Sequence, residues 1–285
     1  MVAQQMKPSQ RIPIRGRARV VANRAQVGAH KLVLEVPGWP GSTPGQFLML
    51  GAGADSGVSR IDPLLPRPMA VYRELGPAVE AAVAASPRIE ILYRVVGRGT
   101  TLLSEARPGQ SISLLGPLGH GFPIEASAAP ALLVGGGTGI ASLFELAKAL
   151  AALGRRVNVL LGARSEPDLI GLEDFARLDV ELECATEDGS RGHHGLVTEP
   201  LAERLAVSAP GSTVFACGPA PMMRAAAELA EAQGAPCFVS LENPMACGFG
   251  VCLGCAAPRR EGGFSLVCRE GPVFEAGEID WEGLP

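Results

Sequence analysis

The chain has 285 residues, 47% of them apolar and 19% charged, with a formal net charge of −4. That length suits one large domain or two to three ordinary ones, and the apolar share permits a sizeable core. The slight acidity offers nothing to nucleic acid or an anionic membrane, no apolar run approaches the roughly 18 residues of a membrane span, and residues 1–8 lack the apolar core of a signal peptide, so a cytoplasmic protein is expected.

Residues 15–125 alternate short apolar or β-branched runs with turn residues. Strands are predicted over 17–21, 31–36, 47–50, 69–73, 89–96 and 111–115, with Pro-Gly pairs at 37–38, 44–45 and 108–109 marking turns. Six short, fairly even strands point to a small antiparallel barrel or sandwich. The stretches 51–65 and 74–87 read as loop insertions, the Ala-rich second one able to carry a little helix.

Residues 128–236 change character. A strand over 131–134 leads through glycines into a helix-period stretch over 141–153. Strands at 156–161, 180–185 and 213–217 follow, then a helix over 221–233. This alternation predicts a Rossmann-like parallel sheet of βαβ units. Between the first strand and helix stands Gly135-Gly136-Gly137-Thr138-Gly139, where a pyrophosphate-binding turn belongs. The strict G-x-G-x-x-G string is absent, and the alternative is a plain tight connection. A second turn, Cys217-Gly218-Pro219, also follows a strand and opens a helix, so both turns are expected to face one cleft. Cys217 is then a candidate catalytic residue beside the ligand, the alternative being a small buried thiol. For cofactor choice, Arg164 suits a 2′-phosphate, whereas Glu166 and Asp168 suit a free ribose. The balance leans to NAD. His193-His194, flanked by glycines, reads as a solvated loop.

Residues 239–285 hold the most specific signal. Cys247, Cys252 and Cys255, followed by Cys268, repeat the C-x4-C-x2-C…C spacing with which plant-type ferredoxins hold a [2Fe–2S] cluster. A structural zinc site competes, although zinc more often takes two separated close pairs. The other three cysteines, Cys184, Cys217 and Cys237, are an odd remainder that fits a reducing compartment.

A nicotinamide exchanges two electrons at once and a [2Fe–2S] centre one, and a flavin bridges the two. With the glycine turns assigned to the nicotinamide, the flavin falls to the barrel. Arg67-Pro68-Met69-Ala70 offers a phosphate cation beside a strand able to line the ring. Leu92-Tyr93-Arg94 leads into Gly97-Arg98-Gly99-Thr100, a candidate pyrophosphate cradle. Taken singly, each string is also an ordinary strand and turn.

These strings, with Pro44-Gly45-Gln46-Phe47, Gly116-Pro117-Leu118-Gly119, Ser240-Leu241-Glu242 and Gly271-Pro272-Val273-Phe274, resemble the ferredoxin-reductase superfamily. More narrowly, the chain is similar to the electron-transfer subunit of type B dihydroorotate dehydrogenase, over about residues 15–277. The resemblance implies FAD on the barrel, NAD on the α/β domain, and [2Fe–2S] on the four cysteines. It also implies an FMN-bearing catalytic subunit as partner, from which electrons pass by the cluster and FAD to NAD+. Two positions discriminate. Ala70 stands where the family usually has Ser or Thr, removing a hydroxyl near the flavin, and Cys247 stands where subunits of ferredoxin or sulfide reductases tend to carry Asp. The competing functions are a reductase subunit of another redox complex and a zinc-stabilised nucleotide-binding module.

Overall fold

A computed structural model describes residues 12–53, 63–76, 86–125 and 127–284. Most of the two expected loop insertions, and the little helix expected in the second, lie outside the described residues.

The N-terminal strands are β1 (Ile14–Gln26), β2 (Ala29–Glu35), β3 (Phe47–Leu50), β4 (Arg67–Ala70), β5 (Arg73–Gly76), β6 (Arg88–Tyr93) and β7 (Ser111–Leu118), with helix α1 (Arg98–Ser104) between the last two. They form an antiparallel sheet in the order β4-β3-β7-β1-β2-β6-β5. Alternate residues point inward, so Leu32 and Leu34, Ile89 and Ile91, and Ile112 and Leu114 share one core with Trp39 and Leu48. The run expected as a single strand over 69–73 is divided at Val71-Tyr72. The Val71 amide donates to the Gln46 carbonyl (3.4 Å), next to β3, and the Tyr72 amide to the Glu90 carbonyl (3.0 Å) on β6. The chain thereby crosses from one edge of the sheet to the other, which curls it into a half-barrel and covers its open edges.

The second sheet is built from β8 (Ala131–Gly136), β9 (Val157–Ala163), β10 (Glu181–Thr186), β11 (His193–His194), β12 (Thr213–Cys217) and β13 (Cys237–Ser240). Helices α2 (Phe144–Ala152), α3 (Leu172–Phe175), α4 (Thr198–Val207) and α5 (Ala220–Ala232) intervene. A hairpin, β14 (Ala256–Pro258) and β15 (Phe264–Leu266), precedes β16 (Val273–Glu275). The sheet order is β11-β10-β9-β8-β12-β13-β16, parallel except for the last pair. From β8 the chain builds outward through β9 and β10, then returns to lay β12 on the other side. The connections after β8 and β12 therefore diverge, opening the crevice in which such sheets bind ligands. Because β16 is an edge strand of this sheet, the cysteine-rich segment is stitched to the nucleotide domain. Among the described residues no helix is long and apolar enough to cross a membrane.

Barrel and nucleotide sheet meet along a seam of rings. Tyr72 and Leu92 from the barrel pack with Ile140, Phe144 and Phe175. Tyr72 and Phe144 lie 5.0 Å apart, and Phe122 meets Phe215 edge-on at 5.7 Å. Within the seam lies a carboxylate, Asp174 of α3, buried at 4% exposure. It accepts hydrogen bonds from Lys31 Nζ, from the Tyr72 hydroxyl (2.7 Å) and from Arg73 Nη1 (3.4 Å), all barrel groups. Burial raises the Asp174 pKa, but the bonds from Lys31 and Tyr72 and the charges of Lys31 and Arg73 outweigh it and hold the carboxyl below the usual range. With the folded value below the unfolded one, this carboxylate stabilises the protein above about pH 4 and loses that contribution as the pH falls further. Asp174→Asn is accordingly expected to lower stability at pH 7 by on the order of 1–3 kcal/mol. The deficit should shrink as the pH drops below about 4, read as the gap between urea midpoints of the two proteins at pH 7 and pH 3.

Candidate redox site

The strings singled out on the barrel converge on one cavity of about 380 Å³. Arg67, Pro68, Met69 and Ala70 of β4 line it, with Leu92, Tyr93 and Arg94 at the end of β6, and Thr100 at the start of α1. Gly99 lies behind them, where a Cβ would stand 2.5 Å from the Arg67 guanidinium, so only a glycine lets that cation lie against the loop. Arg94 Nη2 bonds the Asp168 carboxylate (2.7 Å), while its Nε is buried with no partner. A buried donor on a cation beside a cavity of this size is the mark of a site built for an anion such as a pyrophosphate, and these residues fit FAD. Ala70 lies in the wall and brings no hydroxyl.

Two further cavities adjoin it across the crevice, and Arg94 lines all three. Gly136, Gly137 and Pro219 line both, and Thr138, Gly139 and Gly218 line the smaller. Gly135 lies beneath, packed on Ile140. The two turns touch: a Cβ at Gly139 would run into the Cys217 carbonyl, and Gly136 packs against Pro219 and Met222. The turns thus form one lip, and the larger of these cavities, about 470 Å³, extends from it to Arg164, Asp168 and Glu187 at the ends of β9 and β10. This is the shape a dinucleotide requires. Asp168, read as a possible ribose ligand, is turned toward Arg94 and Ser165 instead.

Cys217 is displaced from the role expected of it. Its side chain is fully buried, its Sγ donates to the Ser240 carbonyl (3.5 Å), and it lines none of the three cavities. Burial, reinforced by the nearby Glu242 charge, pushes the thiol up to about 12, so it keeps its proton at neutral pH and offers no thiolate. What it presents to the turn is its main chain. Sequence reasoning assigned no role in the cleft to Glu242 and Asn243, which line two of the cavities, or to Ser142, Met245 and Pro272 in the first. Glu242 faces the cleft from walls of protein that push its carboxyl up. The available signal was position, since Glu242 and Asn243 follow the carboxyl end of β13, a short strand hidden between a turn and the cysteine segment.

The four cluster cysteines stand in two pairs. Cys255 Sγ and Cys268 Sγ are 3.2 Å apart, and Cys247 interacts with Cys252. Although burial raises the Cys247 thiol, the amides of Cys252, Phe249 and Val251 outweigh it and bring it down to about 6, as suits a thiolate ligand. Two thiol pairs match two irons. Gly248, at φ 81°, presses on the barrel, where a Cβ would lie 2.5 Å from Met49 Cγ, so the loop sits directly on β3 and β7. Met245, two residues before Cys247, lines the first cavity, beside the barrel strings.

A cleft entered by a dinucleotide from one side and abutted by a cluster on the other defines an iron–sulfur flavoprotein component of the ferredoxin-reductase type. The model of the iron–sulfur cluster binding domain of dihydroorotate dehydrogenase B matches residues 242–280, and that of the oxidoreductase NAD-binding domain matches 133–228. The electron transfer subunit of dihydroorotate dehydrogenase B (NAD(+)) from Geobacillus kaustophilus is 40% identical over 240 residues, 83% of this chain and 86% of that one. Its counterpart from Caldanaerobacter subterraneus subsp. tengcongensis is 38% identical over 271 residues, 92% of this chain and 97% of that one. The chain belongs to this family of electron transfer subunits. Among solved structures, an NADH-dependent reduced ferredoxin–NADP oxidoreductase studied for electron bifurcation superposes with a TM-score of 0.78 at 28% identity, covering 93% of this chain and 90% of that one. The ferredoxin reductase of carbazole 1,9a-dioxygenase shares the fold, with a TM-score of 0.61 at 22% identity over 79% and 67% of the two chains.

Two outcomes test the site. Cys252→Ser is expected to lose the visible absorbance of the cluster and most of the two irons and two inorganic sulfides per chain, measured by iron and sulfide assay. Stoichiometric zinc without sulfide in the native protein would exclude the cluster. Arg67→Ala is expected to weaken FAD binding by roughly tenfold to a hundredfold, followed by flavin fluorescence during dilution, whereas the exposed barrel change Arg107→Ala leaves it intact.

Proposed function

We propose that this chain relays electrons from an FMN-bearing subunit, which oxidises dihydroorotate to orotate, through [2Fe–2S] and FAD to NAD+ in pyrimidine biosynthesis. The observation that carries the reading is that one cavity wall holds both ends of the route. Met245 and Pro272 close it on the cluster side, and Thr138, Ala141 and Ser142 close it on the nucleotide side. Bound FAD would exchange a hydride with the nicotinamide and single electrons with the cluster.

In this assignment residues 15–125 hold FAD, 128–236 hold NAD, and 239–285 hold the cluster. Arg67, Arg94 and Thr100 take the flavin's pyrophosphate, while Met69, Ala70, Leu92 and Tyr93 wall its ring. The turn 135–139, with Gly218 and Pro219, takes the pyrophosphate of NAD. Amides directed at Cys247 hold that ligand as thiolate and tune the cluster potential. The partner's place is the rim of the cluster loop, where Phe249, Val251 and Leu253 are 55–72% exposed, a patch suited to a covered interface.

The purified chain alone should pass electrons from NADH to artificial acceptors and leave dihydroorotate untouched. Mixed with the FMN subunit, it should support reduction of NAD+ by dihydroorotate, followed as NADH absorbance. Failure to associate with that subunit, combined with brisk reduction of a ferredoxin or another acceptor protein, would favour a reductase subunit of a different complex.

A further inference from the structure

We propose that Asp174 is a positioning residue for hydride exchange between flavin and nicotinamide, acting through Tyr72. The inference rests on the assignment of the two cofactor sites above. Neither Asp174 nor Tyr72 lines any of the three cavities of the cleft. Tyr72 nevertheless connects them. It stands two residues after Ala70, the last residue of the strand walling the flavin cavity, and marks the point where the chain crosses the half-barrel. Its ring is wholly buried against Phe144 of α2. Its hydroxyl lies by Gly171, where a Cβ would meet both Ile140 Cδ1 (2.7 Å) and the Tyr72 oxygen (3.1 Å). Ile140 belongs to the helical turn Gly137–Ser142 that carries Thr138 and Gly139. One side chain thus joins the flavin strand to the dinucleotide turn.

Ring packing alone leaves that joint able to slide, because apolar attraction has no preferred direction. The bonds from Lys31, Tyr72 and Arg73 to one buried carboxylate do not slide, since each has a length and an angle. The same segment grips the barrel a second time through Asp168 and Arg94, 2.7 Å apart. Residues 168–174 therefore act as a two-point clamp that sets the spacing of the two cofactor sites. In the transfer, hydride leaves NADH, which becomes NAD+, and reduces the flavin. A misplacement of about 1 Å in such a step costs up to roughly 100-fold in rate.

The test uses the protein loaded with FAD and cluster. Asp174→Asn loosens the clamp, and Tyr72→Phe removes one bond while keeping the ring. Glu181→Gln, which loosens surface ion pairs with Arg156 and Arg204 away from the cleft, serves as control. Flavin content, the NADH dissociation constant, the rate of flavin bleaching at saturating NADH and the long-wavelength charge-transfer absorbance of the NADH–flavin pair are measured together, with amide hydrogen exchange over 67–76 and 137–144. The expected result is full flavin content, NADH affinity within about twofold, bleaching slowed about tenfold or more with a weakened charge-transfer band, and faster exchange in both segments, with the control unchanged. Should Asp174→Asn fail to fold, Tyr72→Phe decides. Wild-type bleaching and an unaltered band in Tyr72→Phe, or slowing that only follows lost flavin, would overturn the proposal. Absence of bleaching in the wild type would instead overturn the assignment of the cofactor sites, and this inference with it.

Discussion

A barrel and a parallel sheet can each form a core alone, but a relay requires them to meet in one register. The buried carboxylate of Asp174 supplies that constraint. It gathers Lys31 from β2, Tyr72 from the barrel crossing and Arg73 from β5 onto a short helix of the other unit. Burying a charge is costly unless it is paired and hydrogen-bonded, and here the side-chain hydrogen bonds come from the opposite side of the seam, with Arg177 of the same unit more distant at 3.8 Å. Parting the two units would leave the carboxylate without the groups that hydrogen-bond it, so the arrangement of the cleft follows from satisfying it.

From that seam the path through the molecule is short. The cavity assigned above to flavin is bounded by β4 and β6 on the barrel, by the turn after β8 on the nucleotide sheet, and by Met245 and Pro272 of the cysteine-rich segment. The last segment is held in place twice, by β16 at the edge of the nucleotide sheet and by Gly248 pressed against Met49 of the barrel. Its buried residues, Cys255 and Cys268 included, share a core with Phe47, Met49 and Leu118 of the barrel. Three segments of chain thus converge on one chamber, and none of them encloses it alone.

Electrostatics divides the labour among the thiols. Cys247 sits among amides that favour its anion, whereas Cys217 is sealed where burial outweighs the hydrogen bonding that would favour one. Both are cysteines beside glycines, and a sequence pattern treats them alike. Their surroundings separate a thiol that ionises readily from one that keeps its proton.

Local chemistry made much of this protein legible in its sequence. The cysteine spacing, the glycine turns after apolar strands, and the arginine-bearing strings of the barrel depend on neighbours a few residues apart, and the structure gathers the barrel strings on one cavity and the two turns on one lip. The seven-stranded half-barrel was read as six strands because the break at Val71-Tyr72 carries no turn residue and arises from a change of hydrogen-bonding partner. The burial of Cys217, the diversion of Asp168 to Arg94, and the entry of Glu242 and Met245 into the cleft were likewise beyond reach. Each depends on contact between residues tens to more than a hundred positions apart. Sequence by itself determined which cofactor chemistries the chain can hold, because ligand type and backbone turns are written locally. Tertiary structure decided which groups face the cofactors and how the sites are spaced, because burial and the pairing of charges across the seam exist only once the units have packed.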